Sequence, residues 1–222
     1  MSRHPAPEEL LLDYAAGALA AGPALAVALH VALDPAARRT VERLGALGGA
    51  LIEGEGPSAL EATPFDETLL QRTLARLDGV AVEPRPAPYA PRPGFEWAPA
   101  ALAPHLGSET RWRNVLGGFE EIRLRLPGDS HRVSLLRLKP GRGLPMHRHV
   151  GSEYTVVLQG GYTDSTGNYG VGDFAVGPGP EEHEPIADPG EPCIALIVVE
   201  KPIVLTGPFG RFLNPLVRRG VI

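Results

Sequence analysis

Apolar residues recur at helical spacing in the first third of the chain and at strand spacing in its second half. Leucines and alanines three and four positions apart predict four helices, over residues 8–20, 23–33, 35–53 and 66–77. Gly22-Pro23 and Asp34-Pro35 separate the first three, because proline suits the first turn of a helix and aspartate caps its start. The pattern therefore predicts a small helical bundle at the N-terminus.

After the helices the period shortens to that of β-structure. Short apolar runs predict strands over residues 121–126, 132–138, 154–158, 174–176 and 194–199. Turn signals such as Pro127-Gly128-Asp129 separate the runs. Many short strands at this spacing are typical of a β-sandwich or barrel.

A proline-dense stretch lies between the two patterns. Six of the residues from Gly79 to Pro99 are prolines, a density that excludes helix or central strand and favours an extended spacer. We therefore expect an α+β multidomain chain: a helical domain over residues 1–78, a proline-rich linker over 79–99 and a β-domain over 100–222.

Composition narrows the function classes. The 222 residues carry a formal net charge of −5, which gives no reason to expect direct nucleic-acid binding. No apolar run is long enough for a membrane span and no signal peptide is evident, so we expect a soluble, cytoplasmic protein without a membrane partner. The single cysteine, Cys193, is expected to be a buried apolar residue.

Four residues have the spacing of metal ligands. His147 and His149 lie two apart, so on a strand they face the same side, and Glu153 follows after a short connection. His183 comes after a second turn rich in proline and glycine. Three imidazoles and one carboxylate suit one divalent transition metal such as zinc, iron, manganese, nickel or copper.

The two segments that hold these residues resemble the two sequence motifs of the cupin superfamily. Gly141, Gly160, Gly172 and Pro178 fall at the motif positions around the four ligands. Pro180 stands where glycine is usual, and it replaces no ligand. The resemblance implies that the β-domain is a cupin barrel, a double-stranded β-helix or jelly roll, with His147, His149, Glu153 and His183 as its metal ligands.

With the helical half included, almost the whole chain resembles the ChrR-type anti-sigma factors. The stretches that carry this resemblance are His4, residues 11–17, 29–33 and 44–53, and the cupin motifs behind them. The resemblance implies a helical domain that binds a sigma factor of the extracytoplasmic-function type. It also implies a metal ion in the cupin, with zinc as the first choice, through which the protein senses oxidative stress.

The family's helical domain also binds zinc, through an N-terminal histidine and a His-x₃-Cys-x₂-Cys motif. Here His4 and His30 are present, but Asp34 and Ala37 occupy the two cysteine positions. A weak metal site with three ligands, His4, His30 and Asp34, is left open. The alternative role of Asp34 is to cap the start of the third helix. We expect the cupin ion to be the only metal.

Three functions remain open from the residues. The paired architecture favours a regulator that sequesters a sigma factor. A cupin enzyme, in particular a small-molecule dioxygenase using iron, is the alternative, although no catalytic set is recognisable. In a third version the helical half only dimerises a cupin sensor, and a homodimer is left open in every version.

Overall fold

The computed structural model describes residues 2–54, 66–77, 80, 90–115, 118–177, 179–207 and 210–218. Most of the predicted linker therefore lies outside the described residues, as does Pro178 of the second cupin motif. Among the described residues no helix is long and apolar enough to cross a membrane.

Among the described residues, four helices form the N-terminal part and a short fifth helix follows the last strand. They are α1 (Glu8–Ala15), α2 (Ala21–Leu33), α3 (Pro35–Gly54), α4 (Glu67–Leu77) and α5 (Asn214–Arg218). Helix α1 ends five residues earlier than predicted, because Gly17 turns the chain with a φ of 69°. The predicted cap on α3 is confirmed, since Asp34 Oδ1 accepts a hydrogen bond of 2.9 Å from the backbone N–H of Ala36.

Eleven strands follow among the described residues. They are β1 (Arg113–Val115), β2 (Phe119–Leu124), β3 (Arg132–Leu138), β4 (His147–Arg148), β5 (Glu153–Gln159), β6 (Gly161–Thr163), β7 (Asn168–Gly170), β8 (Phe174–Val176), β9 (Ile186–Ala187), β10 (Cys193–Val199) and β11 (Val204–Leu205). All five predicted strands are present within two residues of their predicted ends. The unpredicted strands have only two or three residues, too few to show an alternating pattern.

The strands form three antiparallel sheets. The largest has the order β1-β2-β3-β10-β5-β8, and smaller sheets pair β7-β6-β9 and β11-β4. Both faces of the large sheet are covered, which is why β10 is apolar along its whole length. On the outer face Val133, Leu135, Leu196 and Val198 share one apolar cluster with residues of α1 and α2.

Helix α2 lies against this outer face and is held at both ends. At its start, the N–H of Gly22 donates to Asp129 Oδ2, and a Cβ on Gly22 would lie 3.0 Å from Val133 and 3.1 Å from Val198. Near its end, His30 Nδ1 lies 2.7 Å from the carbonyl oxygen of Gly172. The first turn of α2 therefore lies so close to the sheet that a methyl group on Gly22 would be crowded.

The segment before α1 also joins the β-domain. Asp173 Oδ1 accepts hydrogen bonds of 2.6 Å and 3.0 Å from the backbone N–H groups of Arg3 and His4. The N–H of Phe174, the first residue of β8, donates to the carbonyl of His4 at 2.8 Å. The predicted class, a helical region followed by a cupin-like β-domain, is confirmed, and the domain limits at 78 and 99 stay a prediction.

Candidate metal centre

Three of the four predicted ligands meet inside the cupin-like domain. His147 begins β4, His149 follows that strand, and His183 lies opposite His147 in an isolated bridge with backbone hydrogen bonds of 3.1 Å and 2.9 Å. The ligand nitrogens of these three side chains all lie within 4.8 Å of one another. Each residue is no more than 5% exposed. This buried triad could bind a metal ion.

The Nδ1 atom of each imidazole has its own acceptor. His147 Nδ1 lies 2.8 Å from the carbonyl oxygen of Pro145, and His183 Nδ1 lies 2.9 Å from Asp164 Oδ2. His149 Nδ1 lies 2.9 Å from Glu153 Oε2. When each Nδ1 carries the proton, each Nε2 presents a lone pair, which is the form in which imidazole binds metal.

The positions of the Nε2 atoms test whether the site fits a metal ion. His149 Nε2 and His183 Nε2 lie 2.8 Å apart and face each other. With both Nδ1 atoms protonated, two lone pairs meet there, an arrangement that a cation stabilises. The donor set therefore fits a transition-metal ion.

His147 and Glu153 of the site have shifted pKa values. Burial lowers the pKa of His147 to about 4, so this imidazole is neutral at physiological pH. Burial alone would raise the pKa of Glu153, but the hydrogen bond from His149 and the three neighbouring imidazoles hold it below its usual value. A neutral histidine and an ionised carboxylate are the forms that ligate metals.

Glu153 lies beside the triad at the start of β5. It is 9% exposed, and its Oε1 accepts a hydrogen bond of 3.1 Å from Thr155 while its Oε2 contacts His149. Its predicted role as a fourth ligand stays a prediction.

Asp164 is a site residue that the sequence pattern did not predict. It is 19 residues from its partner His183, in the turn between β6 and β7, where its Oδ1 also accepts from Thr166. Aspartate is common in turns, so the Asp-Ser-Thr-Gly run at 164–167 indicates a turn but no role for Asp164 at the site.

His4, His30 and Asp34 do not form a second group of this kind among the described residues. Both ring nitrogens of His30 are engaged, because Nε2 accepts from the N–H of Ala6 at 3.1 Å and Nδ1 contacts Gly172. The carboxylate of Asp34 accepts hydrogen bonds from the Ser2 hydroxyl and from the backbone N–H of Ala36.

Comparisons with known proteins agree with these observations. Residues 106–202 match the family model described as the ChrR cupin-like domain. The anti-sigma-E factor ChrR of Cereibacter sphaeroides is 35% identical over 220 residues, covering 97% of this chain and 98% of its own length. The crystal structure of Rhodobacter sphaeroides SigE in complex with the anti-sigma ChrR matches with a TM-score of 0.71 and 34% identity, over 89% of this chain and 98% of that one. The chain belongs to the ChrR family of anti-sigma factors.

Proposed function

We propose that this chain is an anti-sigma factor that binds a sigma factor through its helices and senses oxidative stress through a metal ion in its cupin-like domain. The observation that carries the proposal is that similarity to ChrR extends over 97% of the chain, across helices and cupin alike. In the related crystal structure, ChrR is in complex with SigE. This full-length similarity supports a regulator in preference to the dioxygenase.

The helices offer a surface for such a partner. Six large apolar side chains on α3 and α4 are each at least 45% exposed: Leu47, Leu51, Ile52, Leu69, Leu74 and Leu77. No residue of α4 is buried. Exposed apolar side chains on each of these helices suit contact with a partner protein.

We propose that the metal is one divalent transition ion bound by His147, His149, His183 and Glu153. Zinc is the first choice, and iron, manganese and nickel suit the same donors. When bound, the ion would cross-link β4, β5 and the segment before β9. The chain's own contribution is to hold the three imidazoles in place through Pro145, Glu153 and Asp164.

Co-expression with each extracytoplasmic-function-type sigma factor of the host tests the partner. The full chain should co-purify with one of them, and Leu51→Glu should abolish the complex because a charge would be buried at the interface. Val171→Glu is the matched control, since Val171 is 52% exposed on the cupin-like domain. If the full chain captures none of the sigma factors, the proposal is wrong.

Metal analysis of the purified protein tests the cupin site. We expect about one equivalent per chain, lost in His147→Ala and in His183→Ala because both remove a ligand. Two equivalents in the unmodified chain would contradict a single site. Oxygen uptake that depends on an added substrate, with iron bound, would instead favour the dioxygenase.

A further inference from the structure

A cavity lies against the inner face of the six-stranded sheet, opposite the face that α2 covers. Ser134 and Leu136 of β3 and Ala195 and Ile197 of β10 form its central wall. Its volume is about 130 Å³. An engineered apolar cavity of about 150 Å³ binds benzene, so this one matches a molecule of roughly one aromatic ring.

The two ends of the cavity differ in exposure. Strand pairing places Arg132, Val199 and Glu153 at one level across three neighbouring strands, and Leu138 with Cys193 at the opposite level. The Arg132 side chain is 29% exposed, whereas Leu138 and Cys193 are 6% and 1% exposed. The Arg132 level is therefore the mouth of the cavity, and the Cys193 level is its floor.

The floor carries no charge. Burial raises the pKa of the Cys193 thiol to about 12, and burial raises the pKa of Tyr162 well above its usual value. Both side chains stay neutral at physiological pH and lie with Leu138 and Leu144 around the floor. A charged ligand group is therefore disfavoured on the floor, because no charged side chain there would compensate for the loss of its hydration.

From the central wall towards the mouth the lining becomes charged, through Glu121 and Arg132. Glu121 accepts hydrogen bonds from Ser134 at 2.7 Å, Arg132 at 2.8 Å and Arg113 at 3.1 Å, and Arg123 lies 3.6 Å away. Three guanidinium groups thus surround one carboxylate. His147 and His183 of the triad also line the cavity. With a divalent ion on the triad, the mouth favours an anionic group.

We propose that the cavity binds a small monoanion whose apolar body, about the size of one aromatic ring, lies on the floor and whose head group lies at the mouth. The preference for an anionic head rests on the proposed metal. The apolar body rests on the shape and lining of the cavity alone.

Titration of the metal-loaded full chain with benzoate, followed by calorimetry or ligand-observed NMR, tests the proposal. Benzoate should bind saturably with a dissociation constant in the micromolar-to-millimolar range, typical of so small a ligand. Benzylamine, which has the same ring and the opposite charge, should bind at least about tenfold more weakly. Equal binding of the two would overturn the anionic head.

Ala195→Leu separates cavity binding from surface binding. The added methyl groups would fill the space, so the dissociation constant for benzoate should rise at least about tenfold. Ala32→Leu makes the same change on an exposed position of α2 and should leave binding unaltered. If Ala195→Leu melts early, Ala195→Val should give a smaller rise, and the metal content of each variant shows that the site is intact.

The two proposals fail in different ways. Metal-loaded protein that binds neither benzoate nor toluene at millimolar concentration would overturn the cavity proposal and leave the metal proposal standing. A chain that binds no metal would contradict the metal proposal, and toluene then tests the floor by itself. Saturable toluene binding that Ala195→Leu weakens would support the apolar body, and no saturable binding would overturn it.

Discussion

Asp164 fixes the orientation of His183, although it is not among the predicted ligands. Its Oδ2 accepts from His183 Nδ1 at 2.9 Å, which directs Nε2 toward the other two imidazoles. Removing such a partner typically weakens metal affinity about 10- to 100-fold. We therefore expect Asp164→Ala to lower zinc affinity within that range, as measured by competition with a chromogenic chelator.

The amide variant Asp164→Asn is the control for this prediction. It keeps an oxygen acceptor for His183 and for the turn residue Thr166, so it should lose less affinity than Asp164→Ala. Equal losses in the two variants would mean that the carboxylate acts through its charge. No loss in either variant would contradict the orienting role.

Burial of His147 predicts how the metal-free protein responds to acid. Its pKa is about 4 in the folded protein and 6.5 when unfolded, so between these values the unfolded chain binds more protons. The free energy of unfolding should therefore fall as the pH falls from 6.5, by roughly 3 kcal/mol at pH 4 for this residue alone.

Urea unfolding with a chelator present, at about pH 7 and about pH 5, measures this effect. His147→Ala removes the titrating group, so its free energy of unfolding should decline less steeply with acid than that of the unmodified chain. Identical declines would show that His147 has the same pKa in the folded and unfolded states, and would contradict the effect of burial.

The residues of the site were predictable to different degrees. The cupin-like motif spacing singled out the three histidines, and the structure brings them together. Asp164 could not be found that way, since only the folded chain brings the β6–β7 turn to His183. The engagement of His30 by Gly172 is likewise a tertiary contact, 142 residues apart in sequence.

At the scale of elements, the contact of α2 with the sheet depends on Gly22. A Cβ there would lie 3.0 to 3.1 Å from Val133, Asp129 and Val198. Gly22→Ala should therefore lower the free energy of unfolding by about 1–3 kcal/mol through overpacking, despite the better helix propensity of alanine. Denaturant unfolding measures the change.

Gly45 provides the matched comparison within α3. A Cβ on Gly45 would meet nothing within 4 Å, so Gly45→Ala should leave stability unchanged or raise it by up to about 1 kcal/mol. A similar destabilisation in both variants would mean that helix α2 does not pack closely on the sheet.

Helix and strand limits followed from the sequence wherever a local signal marks them. The Asp34 cap and the alternating run of β3 did so, whereas α1 was predicted too long because its alanines continue past Gly17. In the part of the chain that the structure describes, the six strands that were not predicted have two or three residues each and depend on pairing with their partners. The outer and inner faces of β10 could not be assigned beforehand, because both are apolar.

For the whole molecule, the change of periodicity predicted two parts correctly but not how they are arranged. The proline-rich spacer predicted between the parts gives no indication of contact between them. In the structure Leu25 and Leu29 of α2 share one apolar cluster with Leu135 and Leu196 of the sheet, and Phe95 and Ala98 from the end of the predicted linker join them. Periodicity is a local property, so it carries no information about which faces meet.

This shared cluster predicts that α1, α2 and the cupin-like domain unfold together. Loss of helix, followed by circular dichroism, should coincide in denaturant with the fluorescence change of Trp97 and Trp112, both of which lie at the edge of the cluster. Zinc should shift the two curves equally, because an ion bound only by the folded cupin stabilises everything that unfolds with it. A helical transition at a lower denaturant concentration that zinc does not shift would contradict this prediction. Helix α2 would then bind the sheet too weakly for metal binding in the cupin to stabilise the helices.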